Sequence, residues 1–258
     1  MKAIKIELPR NLLSMEIHTF ADLHIGDRAF DMEMIRERIN RVKDTENAYA
    51  ILNGDIMNNA TKTSVGDSYA EDIPPMRQLE AFVELFEPIR DRIMILTQGN
   101  HENRTYKKEG IDLTAVAAKE LGLFDRYAKA GGVLFIKLGE HSCHRRMKPV
   151  TYSIHVTHGT GGGRKEGAKA IRLADMASIV DTDIYIHSHT HLPMIMKQGF
   201  FRTDISNGVV KCVDKLFVNT SAQLDYGGYG QEYEFKPSSK QCPVIYLSGR
   251  RKEFTAKL

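Results

Sequence analysis

Gln98-Gly99-Asn100-His101-Glu102 is the stretch on which the reading of this chain turns. It follows the apolar run Ile93-Met94-Ile95-Leu96, whose composition predicts a buried strand. An amide, an imidazole and a carboxylate then arrive together where that strand should end. Loops at strand ends, held by a rigid scaffold, are where catalytic groups concentrate. One such cluster decides little alone, so the neighbouring strands must be asked for partners.

Upstream, Met15 to Phe20 reads as a strand followed by Asp22-Leu23-His24. Residues i and i+2 of an extended chain share a face, so this carboxylate and imidazole converge. The pair suits a divalent transition metal, or is merely a polar pair on the surface. A helix from about Ala29 to Lys43 is marked by Met32, Ile35, Ile39 and Val42 at helical spacing. Ala48 to Leu52 reads as a second buried strand, ending in Asn53-Gly54-Asp55. Gly54 lets the backbone turn tightly or pass close to a ligand, although Gly-Asp is also a common turn. Residues 58–75 form a polar connection, either a loop over a site or a solvated excursion. Pro75 suits a helix start, and Met76, Leu79, Phe82, Val83 and Phe86 supply that helix's apolar stripe.

Downstream, Arg104 reads as a phosphate clamp or as a solvated loop arginine. Leu113, Val116, Ala117 and Leu121 mark a helix that Gly122 closes. Val133 to Leu138 is a predicted strand. His141-Ser142-Cys143-His144-Arg145-Arg146 lacks the second half of a zinc site and reads as a basic exposed loop. Thr151 to Thr157 alternates in polarity and ends at His158-Gly159, while mid-strand His155 reads as accommodated rather than ligating. The glycines of residues 159–163 precede Arg164 and Lys165. Such backbone can cradle an anion, yet it lacks the Gly-Lys-Ser/Thr ending of a nucleotide loop. Contacts to phosphate and simple flexibility both fit. A helix with Ala170, Leu173, Ala174 and Ala177 inside leads to a strand, Asp183 to Ile186. That strand ends in His187-Ser188-His189-Thr190-His191. From Met194 onward the chain reads as β-rich, with strands at Met194–Met196, Val209–Val213, Leu216–Val218 and Val244–Leu247. No repeat or linker divides it, so residues 1–258 read as one domain.

Composition narrows the class. A net charge of +3, from 36 Lys and Arg against 33 Asp and Glu, does not announce a nucleic-acid binder. Cys143, Cys212 and Cys242 are odd in number and far apart, which excludes a disulfide framework and favours reduced thiols. Met1 to Arg10 has no apolar signal core, and no run approaches the roughly 20 apolar residues of a spanning helix. The expectation is a soluble, cytoplasmic protein with no membrane partner.

Taken in order, the strand ends read Asp22-x-His24, Gly54-Asp55, Gly99-Asn100-His101-Glu102, His158 and His189-x-His191. This series resembles the calcineurin-like metallophosphoesterase superfamily, whose motifs run Asp-x-His, Gly-Asp, Gly-Asn-His-Glu/Asp, His and Gly-His-x-His. The β-rich tail is also similar, and with Thr63-Ser64-Val65-Gly66-Asp67 it resembles phage-associated members. Ser188 stands where the family usually has glycine. If that position needs a positive φ, serine costs something there.

The resemblance implies an α/β fold, a four-layer αββα sandwich of two mixed sheets flanked by helices. It implies two divalent metal ions, Mn²⁺ first, with iron or Zn²⁺ also fitting the mixed N/O donors. One would take Asp22, His24, Asp55 and His191. The other would take Asp55, Asn100, His158 and His189, with Asp55 bridging. It further implies hydrolysis of phosphodiesters or phosphomonoesters by metal-bound hydroxide. His101, outside the implied ligand set, would protonate the leaving oxygen. Glu102 would orient a histidine, and Arg104 and Arg164 would meet substrate phosphate. Nuclease activity is the second expectation, carried by Arg104, Lys107, Lys108, Arg145, Arg146, Arg164 and Lys165 on loops. A non-catalytic metal-binding scaffold is the third, and the complete set of ligand types argues against it.

Overall fold

A computed structural model describes the chain except residues 63, 65–70, 144, 145, 162 and 233. Most of the Thr63–Asp67 segment, with His144, Arg145 and Gly162, lies outside the described residues. In chain order the elements are β1 (Lys2–Glu7), β2 (Ser14–Phe20), α1 (Met32–Asp44), β3 (Ala48–Asn53), α2 (Pro75–Phe86) and β4 (Ile93–Thr97). Next come α3 (Glu102–Glu109), α4 (Leu113–Glu120), β5 (Gly132–Cys143), β6 (Arg146–Val156), α5 (Glu166–Asp175) and β7 (Ile184–His187). The last are β8 (Met194–Asp204), β9 (Val209–Asn219), α6 (Gly228–Glu232), β10 (Val244–Ser248) and β11 (Phe254–Lys257).

The strands form two mixed sheets. One has the order β11-β10-β2-β3-β4 and the other β1-β5-β6-β7-β9-β8. Parallel pairing joins β2, β3 and β4, and separately β6, β7 and β9. All their C-terminal ends therefore lie at one end of their sheet, where loop chemistry collects.

Period-two side-chain alternation sets the layers. In β3, Ala50 and Leu52 face Ile35, Ile39, Phe82 and Phe86 of α1 and α2. Ile51, between them, faces the other sheet. In β7 and β9, Ile184, Ile186, Leu216 and Val218 join Ile51 in the layer between the sheets. Tyr185 and Phe217 point outward against Leu173 and Met176. The result is the expected αββα sandwich. Burying each such side chain contributes about 1.5–3 kcal/mol relative to leaving it in water.

Four local readings are corrected. The loop expected over His141–Arg146 is partly strand, because His141 pairs with Lys148, Ser142 with Met147 and Cys143 with Arg146. Cross-strand backbone bonds, not burial, order that polar stretch. The helix expected from Ala29 begins at Met32, since the Asp31 carboxylate accepts the Met34 N–H at 3.0 Å and fixes the start. The two strands expected within residues 209–218 are one, β9. The polar N-terminus holds an unforeseen strand, β1, parallel to β5. Among the described residues no helix is long and apolar enough to cross a membrane.

Candidate metal centre

The loops after β2 and β3 run side by side. Leu23 N–H and His24 N–H donate to Asp55 O, and Ile25 N–H donates to Ile56 O. This carries the parallel pairing past the strand ends and sets Asp22, His24 and Asp55 together. Glycine is required where the β3 and β4 loops meet. A Cβ on Gly54 would lie 2.7 Å from the Gly99 backbone, and one on Gly99 would lie 2.1 Å from Asp55 N.

Five of the seven candidate ligand residues take an uncommon backbone. Asp22, His24, Asp55, His189 and His191 all have positive φ, between 50° and 65°. Asp and His enter this region more readily than most residues, but local strain remains. It aims alternate side chains inward at the sharp turns after β2, β3 and β7.

Two ligand groups result. Asp22, His24 and His191 offer atoms within 4.8 Å of one another, and so do Asp55, His158 and His189. His191 Nε2 lies 3.3 Å from Asp22 Oδ1, and His158 Nε2 lies 3.2 Å from Asp55 Oδ2. Asn100 Oδ1 is 3.2 Å from His158 Nε2, which brings the amide to the second group. A third group, His24, Asp55 and His101, joins the first two.

The electrostatics fit cations. Asp22 Oδ1 and His24 Nε2 are buried without a hydrogen bond, which is costly for an acceptor that nothing coordinates. Burial opposes ionisation of Asp55, yet the charges of His158 and His101 outweigh it and hold the carboxyl well below its ordinary value. Burial also works against His158, but Asp55 prevails and raises the imidazole to about 10. Burial, then His101, pushes His24 well below its usual range. Asp55 and His158 thus favour each other's charged forms, and a cation bound there would compete with the His158 proton. Neutral imidazoles and carboxylate oxygens are donors that suit Mn²⁺, iron or Zn²⁺.

A family model for calcineurin-like phosphoesterases matches residues 15–193, a span that includes every one of these ligands. The chain belongs to the calcineurin-like phosphoesterase family. Several solved structures are similar. A conserved protein from Streptococcus pneumoniae TIGR4, described as a predicted phosphoesterase, shares 14% identity over 94% of this chain and 88% of its own, with a TM-score of 0.39. Vacuolar Protein Sorting 29 from Cryptosporidium parvum shares 14% over 95% and 96%, with a TM-score of 0.45. A metallophosphoesterase from Sphaerobacter thermophilus shares 12% over 95% and 89%, with a TM-score of 0.40. A search of curated protein sequences finds no match.

Where the calcineurin-like phosphoesterase pattern has glycine, Ser188 is fully buried and is not among the positive-φ residues. The strain feared from sequence is absent. Its hydroxyl accepts from Asn53 Nδ2 at 2.7 Å and from Thr220 Oγ1 at 2.8 Å, so serine is a tie here.

Asn53 is a residue that sequence reasoning missed, since Asn-Gly-Asp reads as a turn. Its Nδ2 also donates to Thr157 O, its Oδ1 accepts from Thr97 Oγ1, and its carbonyl meets His158 Nδ1. One buried side chain thereby links the ends of β3, β4, β6 and β7.

Glu102 differs from expectation. It orients backbone rather than a histidine, with Oε2 accepting from Asp55 and Gly99 N–H and Oε1 from Met57 N–H. Burial, then the Asp55 charge, pushes its carboxyl up to about 7. Arg104 sits beside His101, its Nη2 3.0 Å from Nε2, and its Nη1 donates to Asn58 O. Arg164 is exposed, with its guanidinium carbon 5.4 Å from the Phe235 ring centre. His155 is accommodated in β6, edge-on to Tyr185.

Proposed function

We propose that this protein is a dinuclear, metal-dependent phosphoesterase that hydrolyses phosphodiester or phosphomonoester bonds. The observation that carries the reading is the pair of ligand groups, Asp22–His24–His191 and Asp55–His158–His189, held together by Asp55 beside His24. Asp22, His24, Asp55 and His191 would hold one ion, and Asp55, Asn100, His158 and His189 would hold the other. The chemistry that bound divalent ions would supply there is neutralisation of phosphoryl oxygens and a water made nucleophilic near neutral pH.

The remaining work falls to side chains. His101 Nδ1 lies 2.7 Å from Asn58 O, which makes that nitrogen the donor and leaves Nε2 as the atom that exchanges a proton. Burial first, and then the Arg104 charge, lowers the His101 pKa, against the opposing pull of Asp55. A substrate phosphate drawing Arg104 to itself relieves that effect and raises the proton affinity of Nε2. Nε2 takes up a proton from solvent before the chemical step, and the resulting imidazolium gives it to the leaving oxygen and returns to the neutral ring.

The test is His101→Ala assayed with two aryl phosphodiesters, one with a good leaving group and one with a poor one, in Mn²⁺. The variant keeps its metal, and turnover falls by about 10²–10⁴-fold with the poor leaving group and by less with the good one. Equal rates for variant and parent on both esters would remove His101 from the chemistry. A protein that binds no metal and hydrolyses neither ester would be a scaffold.

A further inference from the structure

We propose that Gln78 and Asn59 are positioning residues for His101, which together fix the tautomer and the direction of its ring. The inference rests on the phosphoesterase reading above and deepens it. Gln78 lies in α2 beside the apolar residues Leu79, Phe82 and Phe86, and it is fully buried. A buried amide must find partners. Its Oε1 accepts the Asn59 N–H at 2.8 Å, and its Nε2 donates to Ile73 O at 2.9 Å. The fold makes room for this side chain, because a Cβ on Gly26 would lie 2.4 Å from Gln78 Nε2.

The Asn59 N–H shares a peptide plane with the Asn58 carbonyl. In a trans peptide these two groups point in opposite directions. Gln78 holds the plane by its N–H, and the carbonyl on the far side lies 2.7 Å from His101 Nδ1. The Asn58 N–H, bonded to Ile25 O at 2.9 Å, pins the residue before it. The Asn59 side chain grips the same histidine by its backbone. Asn59 Nδ2 donates to His101 O at 2.7 Å and to Thr105 Oγ1 at 3.0 Å. Asn59 is buried and takes a φ of 45°, a region that asparagine enters more readily than most residues.

The two grips set what the ring presents to the centre. A carbonyl only accepts, so Nδ1 carries the proton and Nε2 is the bare nitrogen of the neutral ring. Arg104 Nη2, 3.0 Å from Nε2, is a donor and demands the same tautomer. Nε2 lies 3.9 Å from Asp55 Oδ2, and the ring centre lies 4.3 Å from that of His24. A turned ring would aim the wrong nitrogen at the leaving oxygen. Misplacing a reacting group by about 1 Å can cost about 10²-fold in rate.

The experiment uses Asn59→Gly, which tolerates the positive φ, and Gln78→Met, which keeps the volume. Both are assayed in Mn²⁺ on the two aryl phosphodiesters used for His101→Ala. With the poor leaving group each variant lowers kcat by about 10²-fold at unchanged KM, and with the good one by less. Combined with His101→Ala, each adds no further loss, because residues that act as a unit are not additive. The same loss in both backgrounds would mean a structural role alone and overturns the proposal, as does parent-like kcat in both variants. Thermal melting identifies any variant that does not fold, and the other then decides. Imidazole ¹⁵N shifts of the metal-free protein, recorded where the ring is neutral, give a reading that needs no turnover. The parent shows His101 as the Nδ1–H tautomer, and the variants gain the Nε2–H form. Unchanged shifts in both variants overturn the proposal. If the parent cleaves neither ester with any divalent cation, the phosphoesterase reading fails separately and the nitrogen shifts alone decide.

Discussion

Replacing Asn53 by alanine should be among the most disruptive single changes near the centre, although Asn53 is not an inferred ligand. The side chain is fully buried and makes three hydrogen bonds, to Thr157 O, Ser188 Oγ and Thr97 Oγ1, of 2.7–2.8 Å. Alanine removes all three. Ser188 retains Thr220 as a partner, but Thr157 O and the Thr97 hydroxyl lose one each. Each neutral hydrogen bond contributes about 1 kcal/mol net, and a buried group left without its partner costs about 1–3 kcal/mol. The expected loss is therefore about 3–5 kcal/mol, a large share of a typical domain's stability. Urea denaturation of metal-free parent and variant measures it. Double-mutant cycles of Asn53→Ala with Thr97→Val and with Ser188→Ala should show coupling. A loss below about 1 kcal/mol with no coupling would refute the view that Asn53 ties the four strand ends together.

Ser188→Gly, which restores the family's usual residue, should lower stability by about 2 kcal/mol, because Asn53 and Thr220 both lose an acceptor; unchanged melting would show that the hydroxyl does not matter. Asp55→Asn should lose metal at both positions, and a metal count by plasma mass spectrometry that still returned two ions per chain would remove the bridging role. Burial lowers the pKa of His155 in the folded state. As pH falls through about 6.5 the unfolded chain takes up a proton that the native ring refuses, so stability declines until pH passes below the native value. His155→Phe should decline less between pH 7 and pH 5 in denaturation midpoints, and parallel curves for the two proteins would contradict this.

The candidate ligands that the structure brings together were legible because each announces itself locally. Asp22 and His24, or His189 and His191, are short-range pairs after an apolar run, and their chemistry does not depend on distant sequence. Asn53 and Glu102 were misread because their partners are distant backbone and side chains. Nothing near Asn53 in sequence names Thr157 or Ser188, and nothing near Glu102 names the Met57 amide. Strand β1 was missed for a related reason. Its residues are mostly exposed, and its order comes from pairing with β5 far along the chain. The His141–Cys143 stretch carries no apolar alternation, so periodicity could not reveal that it pairs with β6. The division into two sheets was likewise beyond local pattern, since Ile51 and Leu52 are both apolar yet face different layers.

The candidate ligands come from loops of both sheets, and this has a mechanical consequence. On the proposed assignment each ion is gripped by residues after β2, β3 or β4 on one side and after β6 or β7 on the other. Bound ions would then act as rivets at one end of the sandwich. Sliding one sheet over the other would have to break coordination bonds there, whereas at the opposite end the ties are hydrogen bonds between the Tyr152 hydroxyl and Ser248 and Glu253 and the Lys252–Asp183 ion pair. Loading the centre should stiffen the molecule unevenly. Chelation should speed amide exchange most at the C-terminal ends of β3 and β7, and least at their beginnings.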